Sequence, residues 1–328
     1  MKESWLNNRK ENCTDKVLTE TNQVTSYLHY IDIKEAYDAY ERGENIMLFL
    51  KERYSDSVNL SDIVEIAYDL QAGTYIDYVL KNMDQAKAYW LEIADIVTRN
   101  VSEFSSLLDV GAGELTTLCG LIDSLAKKPK TVYAFDISWS RLAKGLDYLQ
   151  KRYPAQHKSL NAFSADIASI PLPTSSIDLV VSSHALEPNR AQQDVLLAEL
   201  LRVAKSRLML FEPCYEINSK EGKARMDLHG YIRNFDNSIQ NAGASLVDRI
   251  AIRNVANPLN PTACYIIDID KENIFNTPRY TLPGTDNPLR EVNGWLISDE
   301  AGMSFPVLEG IPCLRVKNGV ISSALCNS

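Results

Sequence analysis

The sequence has little that would mark it for metal, membrane or nucleic acid. Its six cysteines, Cys13, Cys119, Cys214, Cys264, Cys313 and Cys326, never form a Cys-x-x-Cys pair, and they are too few to staple a chain of 328 residues by disulfides. Buried, reduced thiols and no metal site are expected. Basic residues are outnumbered, 34 against 43 acidic ones for a formal charge of -9, so no broad cationic surface invites a polynucleotide or an anionic bilayer. No apolar run reaches the ~20 residues a spanning helix needs. The polar start MKESWLNNRKENCTDK has no apolar signal segment, which points to a cytoplasmic protein with no membrane partner. Repeats and low-complexity tracts are also missing. What is present, 45% hydrophobic and 23% charged residues, suffices for one sizeable core with small appendages.

Three patterns follow one another along the chain. From about Tyr30 to Asn100 apolar residues recur at helical spacing, as in Ile33, Ala36, Tyr37 and Tyr40, then Ile46 and Leu50, then Ile63, Ile66, Ala67 and Leu70. A further helix from Asp84 to Thr98 is expected to bury Leu91, Ala94 and Val97. Between about Glu103 and Asp270 the runs SLLDV, TVYAFDI, LNAFSA, IDLVVSS, RLMLFEP, LVDRIAI and TACYIIDI alternate with helical patterns, which predicts βαβ units on a parallel sheet. From Phe275 onward proline, glycine and the short runs NGWLIS, MSFPVL and CLRV predict a small β-rich module. The expected domains are a helical cap over 1–83, an α/β domain over 84–272 and the β-rich module over 273–328.

The stretch SSLLDVGAGELTTLCGLI, from Ser105 to Ile122, holds a strand end, a Gly-Ala-Gly turn and the start of a helix whose inner face is Leu115, Leu118, Ile122 and Leu125. Such a turn usually suits phosphate. Here Thr116 stands at the sixth position of Gly-x-Gly-x-x-Gly, and Asp109 and Glu114 would set carboxylates against a pyrophosphate. S-adenosylmethionine has no phosphate and carries an ammonium and a sulfonium, so the same carboxylates favour it. Asp109 then takes the amino group, while Gly111 and Gly113 let the methionine part lie on the backbone. The second strand ends at Asp136, suited to the ribose hydroxyls, and the third leads to Asp166, suited to the adenine amine, with Ile137 and Ile167 on either side of the ring. Helix or turn capping is the competing role for each aspartate.

LLDVGAGEL, VYAFDIS, SADIASIPLPTSSIDLVVSSHALEPN and ELLRVAKSRLMLFEP, over about residues 104–215, resemble the successive motifs of class I S-adenosylmethionine-dependent methyltransferases. The resemblance implies a Rossmann-like, doubly wound α/β fold of seven strands with the last antiparallel, closed by LVDRIAIRN, NPLNPTACYIIDI and a helix around Tyr231 to Ala242. It also implies methionine contacts from Asp109, Gly111 and Gly113, ribose contacts from Asp136, adenine contacts from Asp166 and Ile167, and S-adenosylhomocysteine as product. Two departures stand out: Leu115 replaces a further glycine common in the family, and the usual Pro-Gly-Gly before the fifth strand is missing.

Candidates for handling an acceptor proton lie at the ends of the fourth and fifth strands. His184, with a reference pKa near neutrality, and Glu212 are the expected catalytic residues, with Glu187 and Tyr215 beside them; pocket lining and helix capping are their competing roles. ARMDLHGYIR adds Arg225, His229, Tyr231 and Arg233, which suit an anionic acceptor or a solvated helix face. Tyr68, Gln71, Tyr75 and Tyr78 in the cap suit a lid over the cofactor, Tyr75 foremost, or plain helix packing. SHAL replaces the Asn-Pro-Pro-Tyr-like clamp of amino-methylating enzymes, which favours a small-molecule acceptor such as a saccharide or another metabolite.

NGWLISDEAGMSFPVLEGIPCLRV resembles the end of the small zinc-ribbon-like methyltransferase activators, with Leu282, Thr285 and Ser298 where their zinc thiolates would stand. That implies a zinc-free activator-like module fused to its own methyltransferase. A methyltransferase of tRNA or protein, a non-catalytic S-adenosylmethionine-binding scaffold and a nicotinamide oxidoreductase are the rival readings, and homo-oligomerisation stays open.

Overall fold

A computed structural model describes residues 30–54, 60–269 and 276–325. The chain divides into two compact units, residues 1–70 and 71–328. The described part of the first holds helices α1 (Tyr30–Glu41), α2 (Ile46–Tyr54) and α3 (Leu60–Asp69) around Ala36, Ala39, Ile46, Leu50, Ile63, Ile66 and Ala67. On α1 the buried stripe runs through the two alanines, which let helices approach closely, whereas Ile33 and Tyr37 are exposed.

The second unit begins with α4 (Thr74–Lys81) and α5 (Met83–Asn100). An alternation follows: β1 (Ser106–Val110), α6 (Thr116–Ser124), β2 (Thr131–Asp136), α7 (Trp139–Arg152), α8 (Pro154–Ser159), β3 (Leu160–Ser164), β4 (Ile177–Ser183), α9 (Gln193–Val203), β5 (Ala204–Pro213), α10 (Lys220–His229), α11 (Phe235–Asn241), β6 (Ser245–Ala251) and β7 (Thr262–Asp268). All seven predicted strands form one sheet in the order β3-β2-β1-β4-β5-β7-β6, in which β7 is antiparallel to both neighbours. The order reverses between β1 and β4, so a crevice opens at the carboxyl ends of those strands. The sheet is apolar on both faces because helices cover both. Leu107, Val132, Ala134, Leu179, Val181 and Met209 meet α5, α6 and α7, and the alternate residues Leu108, Val110, Phe135, Val180, Leu208 and Leu210 meet α9 and α11.

Two local expectations change. On α5 the buried residues are Trp90, Ile93, Ala94, Ile96 and Val97, while Leu91 is 61% exposed. The Trp90 indole lies on Gly120 of α6, whose missing side chain makes room for it, and this contact sets the rotation of α5. The helix predicted around Tyr231 to Ala242 is shorter, because α10 ends in a left-handed Gly230 and the next residues run extended, with Ile232 N–H donating to the Glu187 carbonyl at 3.0 Å.

The C-terminal module is an antiparallel sheet of β8 (Arg290–Val292), β9 (Trp295–Ser298), β10 (Met303–Leu308), β11 (Ile311–Pro312) and β12 (Val320–Ile321). It packs on the β3 side of the main sheet, where Tyr280 meets Phe163 and Tyr133 edge-on at 5.5 and 6.2 Å. CLRV forms no strand within the module. Instead Cys313 bridges in parallel to Ser164, and Leu314 N–H donates to the Ser164 carbonyl at 2.7 Å, satisfying an edge of β3. The turn around Leu282 and Thr285 is closed by Leu282 N–H to Asn287 O at 2.8 Å and Thr285 Oγ1 to Leu282 O at 2.9 Å, and the buried Ser298 Oγ accepts from Ala301 N–H at 3.2 Å. Among the described residues no helix is long and apolar enough to cross a membrane.

A β-carbon at Gly120 would stand 2.0 Å from the Trp90 ring. Gly120→Leu is therefore expected to destabilise the protein by about 1–3 kcal/mol through overpacking, read as a lower urea midpoint, and Trp90→Ala in the same chain should relieve part of that loss.

Candidate functional site

The carboxyl ends of β1, β2 and β4 bring most of the predicted residues to one place. Asp109 is 5% exposed near the end of β1, and no described residue donates a hydrogen bond to its carboxylate. Burial, with the Asp136 carboxylate adding to it, pushes the Asp109 pKa up to about 8. Gly111 and Gly113 follow with φ of +64° and +52°, and Leu115, the N-cap of α6, is also left-handed at +59°. Leucine thus adopts the backbone conformation for which the family glycine is suited, at a cost of ~1–3 kcal/mol that its full burial offsets. A β-carbon on Gly111 would meet Ala185 Cβ at 2.4 Å, so a close neighbour requires that glycine, whereas at Gly113 the nearest atoms belong to the movable Arg141 guanidinium and the positive φ is what favours glycine.

Asp136 closes the turn from the β2 side. Its Oδ2 accepts from Gly113 N–H and its Oδ1 from Ser138 N–H, both at 2.9 Å, and Ser138 caps α7 through Arg141 N–H. Ile137 and Ile167 are half-buried. Asp166 lies farther round, where Oδ1 accepts from Ala168 N–H at 2.9 Å and Oδ2 stands 3.7 Å from the buried Arg315 guanidinium of the C-terminal module.

Glu114, expected from the sequence as a carboxylate facing the ligand, and Arg141, which the sequence did not single out, organise this end of the site by holding other parts of the chain. Glu114 is 1% exposed and accepts from the N–H groups of Gly73, Tyr75 and Ile76 at 3.0, 3.4 and 2.8 Å, so a buried carboxylate holds the N-terminus of α4 against the glycine turn. That interaction places Tyr75, whose ring lies 4.6 Å under the Arg141 guanidinium. Arg141 also stands 3.8 Å from Glu114 Oε1 and 3.9 Å from Asp136 Oδ2. The visible signal was a charged residue within the apolar spacing of Leu142, Gly145 and Leu149. With Glu114 and Asp136 against one guanidinium, and Asp109 able to ionise beside them, the cleft is negative and suited to a cationic ligand.

The β4 side carries a second cluster. Glu212 is wholly buried; its Oε1 accepts from Ser182 Oγ at 2.6 Å, Ala185 N–H at 3.1 Å and Leu186 N–H at 3.2 Å, and burial pushes its pKa up to about 7 against the pull of His184 and Ser182. His184 has φ of +60°. Its Nδ1 bonds Glu187 Oε2 at 2.9 Å and its Nε2 bonds the buried Thr262 Oγ1 at 3.0 Å. Burial alone would lower the imidazolium pKa, but Glu187 and then Glu212 outweigh it and leave it raised. Glu187 also receives Asn260 Nδ2 at 3.3 Å. Tyr89 of α5, a residue that sequence did not single out, bonds Ser183 Oγ at 2.9 Å, and burial pushes its phenol well above the usual range. Tyr215 is engaged elsewhere, donating to Asp227 at 3.0 Å. Tyr68 lies in the other compact unit. No group of three or more described His, Cys, Asp or Glu residues is arranged to hold a metal ion.

Residues 108–210 match the family described as Methyltransferase domain. No curated protein matches the chain. Among solved structures, the chain is similar to one from the complex between the Haloferax volcanii Trm112 methyltransferase activator and a methyltransferase, at 14% identity and a TM-score of 0.47, covering 61% of this chain and 97% of that one. A SAM-dependent methyltransferase from Aquifex aeolicus aligns at 17% identity and a TM-score of 0.42, over 56% of this chain and 92% of that one. Magnesium protoporphyrin IX methyltransferase from Synechocystis PCC 6803, solved with bound SAH, aligns at 14% and 0.41 over 72% and 99%. S-adenosylmethionine is the cofactor that the match over residues 108–210 indicates.

Proposed function

We propose that this protein transfers the methyl group of S-adenosylmethionine to a small-molecule acceptor bound beside Glu187. The observation that carries the reading is the buried Asp109 carboxylate, which lacks a donor among the described residues and stands at a glycine turn where an ammonium group would neutralise it. Asp109, Gly111 and Gly113 then hold the methionine part, Asp136 the ribose, and Asp166 with Ile137 and Ile167 the adenine, while Tyr75 closes over them from α4. When bound, the cofactor supplies a sulfonium methyl carbon that forms a bond to the acceptor's lone pair as the S–CH3 bond breaks, leaving the thioether of S-adenosylhomocysteine.

The chain's own work is alignment and proton handling. Both ring nitrogens of His184 are bonded to protein, so the group that faces the acceptor is Glu187, with His184 behind it as the partner that holds and shares the proton. Glu212 positions both by holding the backbone from Ala185 to Leu186. The C-terminal module serves as a built-in support, covering the β3 edge and reaching Asp166 through Arg315.

Titration calorimetry of S-adenosylmethionine and S-adenosylhomocysteine tests the cofactor part. Asp109→Ala and Asp136→Ala are each expected to weaken binding about tenfold or more, ~1.4 kcal/mol. Absence of binding to the folded wild-type protein would overturn the proposal.

The raised Asp109 pKa adds a pH signature. The free protein holds that proton below about pH 8, and the ammonium group requires the carboxylate, so binding near pH 6.5 should release about one proton. Calorimetry in two buffers of different ionisation enthalpy reads it, and equal heats in both would speak against the assignment. Because the folded-state pKa lies above the unfolded 3.8, the carboxyl's contribution to stability falls as pH rises toward about 8; Asp109→Asn should be spared that loss in thermal melts.

Screening metabolites with a labelled methyl donor identifies the acceptor. On that acceptor, Glu187→Gln is expected to lower kcat by about 10²-fold with unchanged cofactor affinity. Unchanged kcat would remove Glu187 from proton transfer.

A further inference from the structure

Helix α10 and the chain packed against it carry a cation whose role the cofactor site does not explain. Of the basic residues there, Arg190 Nη2 and Arg233 Nη1 both donate to Asp227 Oδ1, at 2.9 and 3.1 Å, and Tyr215 takes the other oxygen at 3.0 Å, so both guanidinium groups already have a carboxylate partner, which offsets one of the two charges. Arg225 is different. No described carboxylate lies within ion-pair distance of it, and its Nη1 is a wholly buried nitrogen with no hydrogen-bond partner among the described residues. Its guanidinium stands 5.4 Å over the Tyr231 ring. Tyr231 is in turn fastened to the proposed acceptor side, because the adjacent Ile232 N–H donates to the Glu187 carbonyl at 3.0 Å and Arg190 Nε donates to the Tyr231 carbonyl at 2.6 Å. Asn260, which donates to Glu187, leaves its own Oδ1 buried without a donor. Burial and the Glu187 carboxylate push the Tyr231 phenol up to about 12, and Arg225 pulls it down, so the phenol stands between the two charges.

We propose that the acceptor is a small carboxylic acid: its carboxylate is received by Arg225 on the face of Tyr231, and its nucleophilic O–H or N–H points to Glu187. This rests on the methyltransferase reading above. A guanidinium with a desolvated, unbonded N–H pairs strongly with a carboxylate. One cation beside a carboxylate suits a singly charged acid better than a dianionic phosphate, which Glu187 would repel. Asn260 Oδ1 is then free to accept from the same nucleophile or from a neighbouring hydroxyl of the acid.

The test uses the full chain saturated with S-adenosylhomocysteine and titrates benzoate, its neutral isostere benzamide and inorganic phosphate, by calorimetry and thermal shift. Benzoate is expected to bind at least about tenfold more tightly than benzamide or phosphate. Arg225→Gln should abolish that preference while leaving the S-adenosylhomocysteine Kd and the ligand-free melting temperature unchanged, and Arg225→Lys should restore part of it. Equal binding of benzoate and benzamide, a benzoate affinity indifferent to Arg225→Gln, no benzoate binding to the loaded wild type, or Arg225-dependent binding of phosphate in place of benzoate each overturns the proposal. Failure of S-adenosylhomocysteine to bind the wild type is a separate result that removes the methyltransferase reading and this inference with it.

Discussion

A carboxylate buried at the end of β5 is the constraint on which the loop after β4 depends. Glu212 has no exposure, and its three donors come from the end of β4 and the segment that leaves it: Ser182 Oγ and the N–H groups of Ala185 and Leu186. A carboxylate so deeply placed is tolerable only because those groups meet it. The geometry they impose has consequences. His184 is driven to φ of +60°, its ring is turned between Glu187 and Thr262, and Ala185 comes so near Gly111 that the glycine turn accepts no side chain there. One buried group therefore links β5, the β4 loop and the turn after β1.

Glu114 does the same for the cofactor side. Its oxygens take the first N–H groups of α4, which binds a helix from the N-terminal side to the turn between β1 and α6 and brings Tyr75 and Arg141 together. The carboxylates of Glu114 and Asp136 are partly balanced by Arg141, and Asp109 is balanced by no described residue. The uneven balance is what makes the cleft complementary to a cationic ligand and keeps the Asp109 proton bound in its absence. Across the sheet the C-terminal module reaches the same end through Arg315 and Asp166, so its attachment at β3 touches the proposed adenine contact as well as the sheet edge.

Much of this was legible in the residues. The seven strands and α6 follow from apolar runs bounded by turn residues, and the strand-end aspartates Asp109 and Asp136 fall where their positions implied. Leu91 was misplaced because periodicity alone does not say which side of an apolar stripe faces the sheet; the Trp90 contact with Gly120 decides it, and that pairing joins distant parts of the chain. The segment at Tyr231 carried a helical pattern but is pulled straight by bonds to Glu187 and Arg190, partners about 40 residues earlier.

The sequence by itself determined the sheet and its covering helices, the glycine turn and the order of the carboxylates, because each depends on local spacing and on strands that must be apolar on both faces. Tertiary structure decided what each carboxylate does. Glu114 became an anchor for α4, Glu212 a clamp on the β4 loop, and Glu187 the partner of His184, while Asp109 alone among the buried site carboxylates was left without a donor. Those roles are set by donors that arrive from elsewhere in the fold, and the energy of a buried charge depends on such neighbours more than on its own position in the chain.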